Sequence, residues 1–449
     1  MSELIVVGGG AAGWAAALAA AQGGASVVLL EKLAESGGSS ALSGGCLAFA
    51  GTDLQAVVGI EDSPEKLFED LREVGQEVND ETLVRTYCDV QLATYAWLKD
   101  AGVRFSPVIE AASGQSVPRA HTVDPADMVR ALRSAAEATG RLDYRPSTSA
   151  QALLQDSDGT VTGVRLADGT SLDAARGVIL ASGGFAKNPE MLMQYAPHYA
   201  EAVFVAGAGS QGDGLRMGIA AGAGLADMDY IKGTFGKHPT DETNDHSLQA
   251  VYKGAIAVNQ NGRRFVDESI SYKLLGDAVM AQPWHSAYQI MDQGIFDTGD
   301  DRVRILDFGR RLEEGLFYVA DSLDDLARQI EIEPEVLVTT VRRYNGFVDS
   351  GHDAEFGRTN LVHHHGQLRR IETPPFYAYP STAVVFGTYC GLRIDRSARV
   401  LRDDGSAIPN LYAAGEVTGG FHGAAYMTGS ALGKAVVFGR IAGEAAAAA

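Results

Sequence analysis

Cysteine is scarce: three residues in 449, Cys46, Cys88 and Cys390, far apart and without a CxxC spacing. That excludes a disulfide framework and a cysteine zinc site, and the missing CxxCH excludes an attached haem; a reducing compartment fits. No apolar run is long enough for a membrane helix. The N terminus enters a strand-like run, Leu4 to Val7, with no basic leader, so the sequence predicts a cytoplasmic protein with no membrane span. Basic stretches are missing too. The 37 Lys and Arg against 57 Asp and Glu give a net charge of −20, the wrong sign for nucleic acid or an anionic membrane. The run His363 to His365 looks like a metal cluster, but adjacent side chains on one loop rarely converge, so no metal is expected.

Glycine is abundant, with 53 residues, and it clusters in short motifs, which implies close backbone approach rather than low complexity. The stretch "LIVVGGGAAGWAAALAAAQGGASVVLLEK" reads as strand, glycine turn, helix and second strand (Val27 to Leu30), a βαβ unit. Gly8, Gly10 and Gly13 form a G-x-G-x-x-G between strand and helix. Gly8 permits the turn, Gly10 lets a pyrophosphate approach the backbone, and Gly13 lets the helix pack on the strand. The helix start supplies free N–H groups and a positive dipole end. Glu31 ends the second strand, where a carboxylate can accept both ribose hydroxyls of an adenosine.

A second Gly/Ser loop follows at once, "ESGGSSALSGGCLAFAG". A nicotinamide protein has no need of it. An extended flavin does, because its pyrophosphate, ribityl chain and ring edge need contacts that Gly38, Ser39, Ser40, Ser43, Gly44 and Gly45 would supply. No second G-x-G-x-x-G is present for a nicotinamide. Further along, Pro64 to Ala101 is helical in spacing, with Ser63 as N-cap, and "DPADMVRALRSAAEATG" gives another helix. Residues 148–181 alternate around Asp-Gly turns, an antiparallel meander ending in a buried strand, Gly177 to Leu180. The fold class expected is α/β. A Rossmann-like FAD-binding domain, with a central parallel sheet plus the meander, occupies 1–230 and 388–449, and an α+β substrate domain is inserted at 231–387. The terminal alanines are expected to fray.

Several motifs together resemble the flavoprotein family of fumarate reductases and 3-ketosteroid dehydrogenases over nearly the whole chain: "VVGGGAAGWAAA", "GGSSALSGG", "VILASGGF", "GSQGDGLRMG", "NGRRFVDES" and "LYAAGEVTGGFHGA…GSALGKAVVFGRIAG". The resemblance implies that the "ASGGF" turn and "GDG" line the adenosine and flavin, that Glu416 reaches the ribityl chain, and that a helix starting near Ser430 points its amino end at the flavin O2. The FAD contacts expected are Gly8, Gly10, Ala11, Ala12, Gly13, Glu31, Lys32, Gly38, Ser39, Ser40, Ser43, Gly44, Gly45, Ala152, Ala181, Ser182, Gly183, Gly212, Asp213, Gly415, Glu416, Ser430, Ala431 and Leu432. The histidine that carries covalent flavin in the membrane enzymes has no counterpart in "GGSSALSGG", so the FAD is expected to be non-covalent.

Laid over the fumarate reductases, the cationic positions of the family fall on uncharged residues here. The carboxylate-clamping arginine falls on Tyr426, the acid arginine on Tyr272, one histidine on Phe386 and another on Thr234, with His238 as an offset rival. Tyr does not replace the bidentate grip of Arg on a carboxylate. Phenols at the first two positions are what the resemblance associates with ketosteroid dehydrogenases. The function expected is desaturation of a cyclic ketone: a 3-ketosteroid, a cyclohexanone or 4-oxocyclohexanecarboxylate. Tyr426, with a backbone N–H near Gly429, polarises the carbonyl; Tyr272 takes the α-proton; flavin N5 receives the β-hydride. Thr428 is a further hydroxyl, Phe386 and Tyr389 are cavity wall, and His422 is either a hydrogen-bonder behind the flavin loop or a core histidine. Arg119 and His121 are expected at the substrate entrance, and Arg119, Lys273 or Arg393 on a substrate carboxylate if there is one. An external acceptor (oxygen, quinone or a redox protein) is implied. Two alternatives stand: a fumarate-type ene-reductase of an unsaturated acid, and a non-catalytic electron carrier.

Overall fold

The computed structural model describes residues 3–199, 202–231, 233–241 and 245–449. The first sheet has six strands in the spatial order Arg399–Leu401, Ala407–Ala413, Gly177–Leu180, Leu4–Val7, Val27–Leu30 and Leu142–Arg145. All run parallel except the first, which closes one edge antiparallel. The three central strands, LIVV, VVLL and GVIL, are buried at every residue, which is why they read as unbroken apolar runs rather than alternating ones. Both ends of the chain therefore build one sheet.

The helix Ala11–Gln22 packs along the last helix, Ser430–Ala448. Small residues set that approach: a Cβ on Gly439 would lie 2.5 Å from Ala12 O, and one on Gly443 2.3 Å from Ala16 O. Ala442 and Ala446 are fully buried in the same seam, and the terminal alanines are helical as far as Ala448, with Ala448 and Ala449 exposed.

The second sheet draws strands from residues 203–385. Its long strand Phe376–Val385 pairs with Ser286–Asp292, Thr234–Lys237, Tyr318–Ala320 and Val203–Phe204, and Ile256–Val258 adds on beyond Ser286–Asp292. The meander is the antiparallel trio Ala150–Gln155, Val161–Leu166 and Ser171–Asp173. A further trio, Cys46–Ala48, Ala120–Val123 and Phe105–Glu110, escapes sequence reading. Pro107 interrupts the last of these, tolerable only because that strand lies at the edge.

The helical run from Pro64 is two helices, Pro64–Val74 and Glu81–Asp100, each with its own N-cap, Ser63 and Asp80. It breaks at Gly75, where a Cβ would lie 2.8 Å from His422 O. The break makes room for the loop that carries Tyr426. No helix among the described residues is long and apolar enough to cross a membrane.

Candidate active site

One cavity of about 870 Å³ runs from the glycine turn of the first sheet to the face of the second. Its first half is the dinucleotide cradle. Gly10, Ala11 and Ala12 line it at the helix start, together with Glu31 and Lys32 from the second strand and Gly38, Ser39, Ser40, Ser43, Gly44 and Gly45 from the following loop. Ala181, Ser182, Gly183, Asp213, Gly415, Glu416, Ala431 and Leu432 complete the wall. Gly8 and Gly13 stand behind it and act by absence of bulk: a Cβ on Gly13 would lie 1.8 Å from Gly8 O, and Gly8 adopts φ 111°.

The groups present fit an FAD. Glu31 is 8 % exposed, and its carboxylate accepts Gly9 N–H and Leu33 N–H at 2.8 Å each, which fixes it at the strand end. The N-cap of the helix Ala11–Gln22 is Gly10, which makes no side-chain cap bond, so most of that anion-attracting end is left to a ligand. The helix Ser430–Ala448 likewise starts at a glycine in the left-handed region, Gly429 at φ 88°.

Some expected contacts lie elsewhere. Ala152 does not line the cavity; Ala150 does, because the meander shifts register between those two residues. Gly212 caps the helix Asp213–Ala220 and packs on Met191 rather than facing the cavity. Ser430 is fully buried, donates to Met427 O at 2.7 Å and lies 3.3 Å from His422 Nδ1. Lys32 is engaged by Asp213 at 2.5 Å.

The other half of the cavity is aromatic. Tyr272 opens the helix Tyr272–Met280, and Tyr426 sits in the loop before the last helix. Their ring centroids are 5.7 Å apart at 66°. Tyr389 stacks on Tyr426 at 5.0 Å, and His422 packs against both. Phe386, Thr234, Tyr252 and Thr428 line the same space. Tyr426 Oη accepts Gly429 N–H at 3.1 Å, so Gly429 acts through the phenol and leaves its proton free to donate elsewhere. Burial pushes Tyr426 up to about 12 and Tyr272 well above the usual phenol range. Both rest as neutral phenols.

Ser113 ties the two tyrosine segments together: its Oγ accepts Tyr272 N–H and its carbonyl accepts Thr428 N–H, both at 2.9 Å. Gln115 Nε2 donates to Thr428 O at 2.9 Å. Lys273, 1 % exposed, holds its Nζ 4.5 Å from the Tyr389 ring centre and within 6.0 Å of those of Tyr426, Tyr272 and Phe386. Desolvation lowers it to about 7. The sequence gives no sign of Ser113, Gln115 and Tyr252, and it offers Lys273 only as a candidate for a substrate carboxylate. His422, with its pKa driven far down by burial, is a neutral imidazole on the wall.

Three expectations fail on position. Arg119 is fully buried between Asp62 and Asp70, at 2.7 and 2.5 Å, and His121 bonds Thr52 Oγ1 at 2.7 Å; neither reaches the cavity. Arg393 lies outside it as well. His238 bonds Thr240 and packs on Tyr379, while Thr234 faces the cavity.

The FAD binding domain family matches residues 3–432. The chain belongs to that family. As a flavoprotein it resembles the fumarate reductase (cytochrome) of Shewanella frigidimarina, at 36 % identity over 93 % of this chain and 72 % of that one. The open conformation of a flavocytochrome c3 fumarate reductase superposes with a TM-score of 0.77 at 31 % identity, covering all of this chain and 78 % of that one. The 3-ketosteroid-Δ4-(5α)-dehydrogenase of Rhodococcus jostii RHA1, in complex with 4-androstene-3,17-dione, gives 0.80 at 26 % identity, covering 99 % and 96 %. The flavoprotein is an FAD-dependent oxidoreductase with both reductase and dehydrogenase relatives.

Proposed function

We propose that this flavoprotein interconverts a neutral cyclic ketone and its α,β-unsaturated counterpart, in the desaturating direction when an oxidant is supplied. The observation that carries the reading is the pair of half-buried phenols, Tyr272 and Tyr426, at one end of the cavity. The arginines that line it are Arg104, Arg302 and Arg304, with Arg302 and Arg304 side chains 64 % and 40 % exposed, none of them at a tyrosine position. A dicarboxylate would meet phenols where it needs bidentate cations.

Bound FAD supplies the two-electron acceptor for the β-hydride. Tyr426 O–H points its free proton at the carbonyl oxygen and holds the charge that develops there. Tyr272 Oη takes the α-proton in desaturation and returns it in the reverse direction. The electrons leave to an external acceptor such as oxygen, a quinone or a redox protein.

Anaerobic mixing with steroidal and monocyclic ketones tests the proposal. At least one should bleach the visible flavin band; bleaching by reductant alone and by no ketone would sink it. The direction of the Tyr272 shift also fixes a pH dependence. Its conjugate base is scarce at neutral pH, so the bleaching rate should climb about tenfold per pH unit between about pH 7 and pH 9. A flat profile would remove Tyr272 as the base. Flavin attachment is inferred to be non-covalent: acid precipitation should leave the yellow chromophore in the supernatant, and a coloured pellet would contradict this.

A further inference from the structure

Outside the cavity, the helix Pro64–Val74 brings a carboxylate to the histidine run that sequence reading set aside. His364 Nε2 lies 2.9 Å from Glu73 Oε1, and His363 Nε2 lies 3.8 Å from Glu73 Oε2; the three ligand atoms fall within 4.8 Å of one another. His363 points inward with its side chain 9 % exposed, and its Nε2 has no hydrogen-bond partner. A second carboxylate oxygen, Asp70 Oδ1, lies 3.7 Å from that nitrogen, one helical turn from Glu73. The other oxygen of Asp70 is taken by Arg119 and Ser116.

We infer that Glu73, His363 and His364 form a site for a divalent transition-metal ion of the zinc type, joining the helix Pro64–Val74 to the loop at 361–366. Zinc binds imidazole and carboxylate at about 2.0–2.2 Å, so its tetrahedral ligands stand about 3.3 Å apart. His364 Nε2 is 2.9 Å from one Glu73 oxygen and His363 Nε2 is 3.8 Å from the other, with the ligand atoms within 4.8 Å of one another, so a small side-chain adjustment brings one oxygen and two nitrogens to that spacing. A water would complete the tetrahedron, with Asp70 Oδ1 placed to accept from it. Two imidazoles select zinc, cobalt, nickel or copper over magnesium and calcium, which prefer oxygen. The ion would give the orphan nitrogen of His363 its partner. The loop is held on its other side by His363 N–H donating to Ser269 O at 3.1 Å, two residues before the Ser271 that caps the Tyr272 helix. The site is therefore a staple across two parts of the chain, independent of the reaction proposed above.

The test uses the FAD-loaded full chain, free of any histidine tag and stripped of metal with chelator. Titration with zinc chloride should show one ion per chain, and cobalt chloride should give tetrahedral absorption bands at wavelengths beyond the flavin. His364→Ala and Glu73→Gln, both at exposed side chains, should each weaken zinc binding at least about tenfold and leave the flavin spectrum unchanged. Zinc should also raise the unfolding midpoint of the parent protein by several degrees and not that of His364→Ala. No stoichiometric binding, or binding that persists undiminished in His363→Ala/His364→Ala, overturns the site.

Discussion

Tyr426→Phe should slow ketone-driven bleaching of the flavin by about 10²- to 10³-fold with FAD still bound, the cost of losing one donor to a developing oxyanion. The ring itself is structural: it stacks on Tyr389 at 5.0 Å and meets Tyr272 edge-on at 5.7 Å, and Phe preserves those contacts. What disappears is one hydroxyl that Gly429 N–H already orients from the opposite side at 3.1 Å. With its pKa pushed up to about 12, that hydroxyl keeps its proton across the working range, as a carbonyl polariser must. Tyr426→Phe reducing at the parental rate would end this role.

Tyr272→Phe should lose about 10²- to 10⁴-fold in the same assay, the usual worth of a positioned acid–base group. It should also abolish the rise of rate with pH, because the titrating group itself is gone. The two variants are thus separable: Tyr426→Phe is slow with the parental slope, and Tyr272→Phe is slow and flat. A Tyr272→Phe variant that is slow yet keeps the slope would move the proton transfer to another group. The buried Lys273 amine, whose pKa falls to about 7, would instead give a rate that levels off above about pH 7.

The legible parts of this molecule are those whose meaning is local. Gly8, Gly10 and Gly13 with Glu31 describe one turn and one strand end, and the Ser/Gly loop at 37–45 follows within a few residues. That part of the cradle can therefore be read off a short segment. The pair Tyr272 and Tyr426 could be reached only through resemblance, since they lie 154 positions apart and Ser113 from a third segment joins them. Convergence of that kind is a product of sheet pairing. Ala150 lines the cavity where Ala152 is expected, and the register shift between them is invisible in sequence. Arg119 read as a free cation because nothing local shows that Asp62 and Asp70 enclose it. The same blindness hid Glu73, one helix away from His363 and His364.

The measurement that tests the central claim most directly uses the reduced protein without oxygen, offered a cyclic enone and fumarate in separate experiments. Phenols facing the substrate predict rapid return of the yellow oxidised flavin with the enone and none with fumarate. Rapid reoxidation by fumarate alone would contradict it.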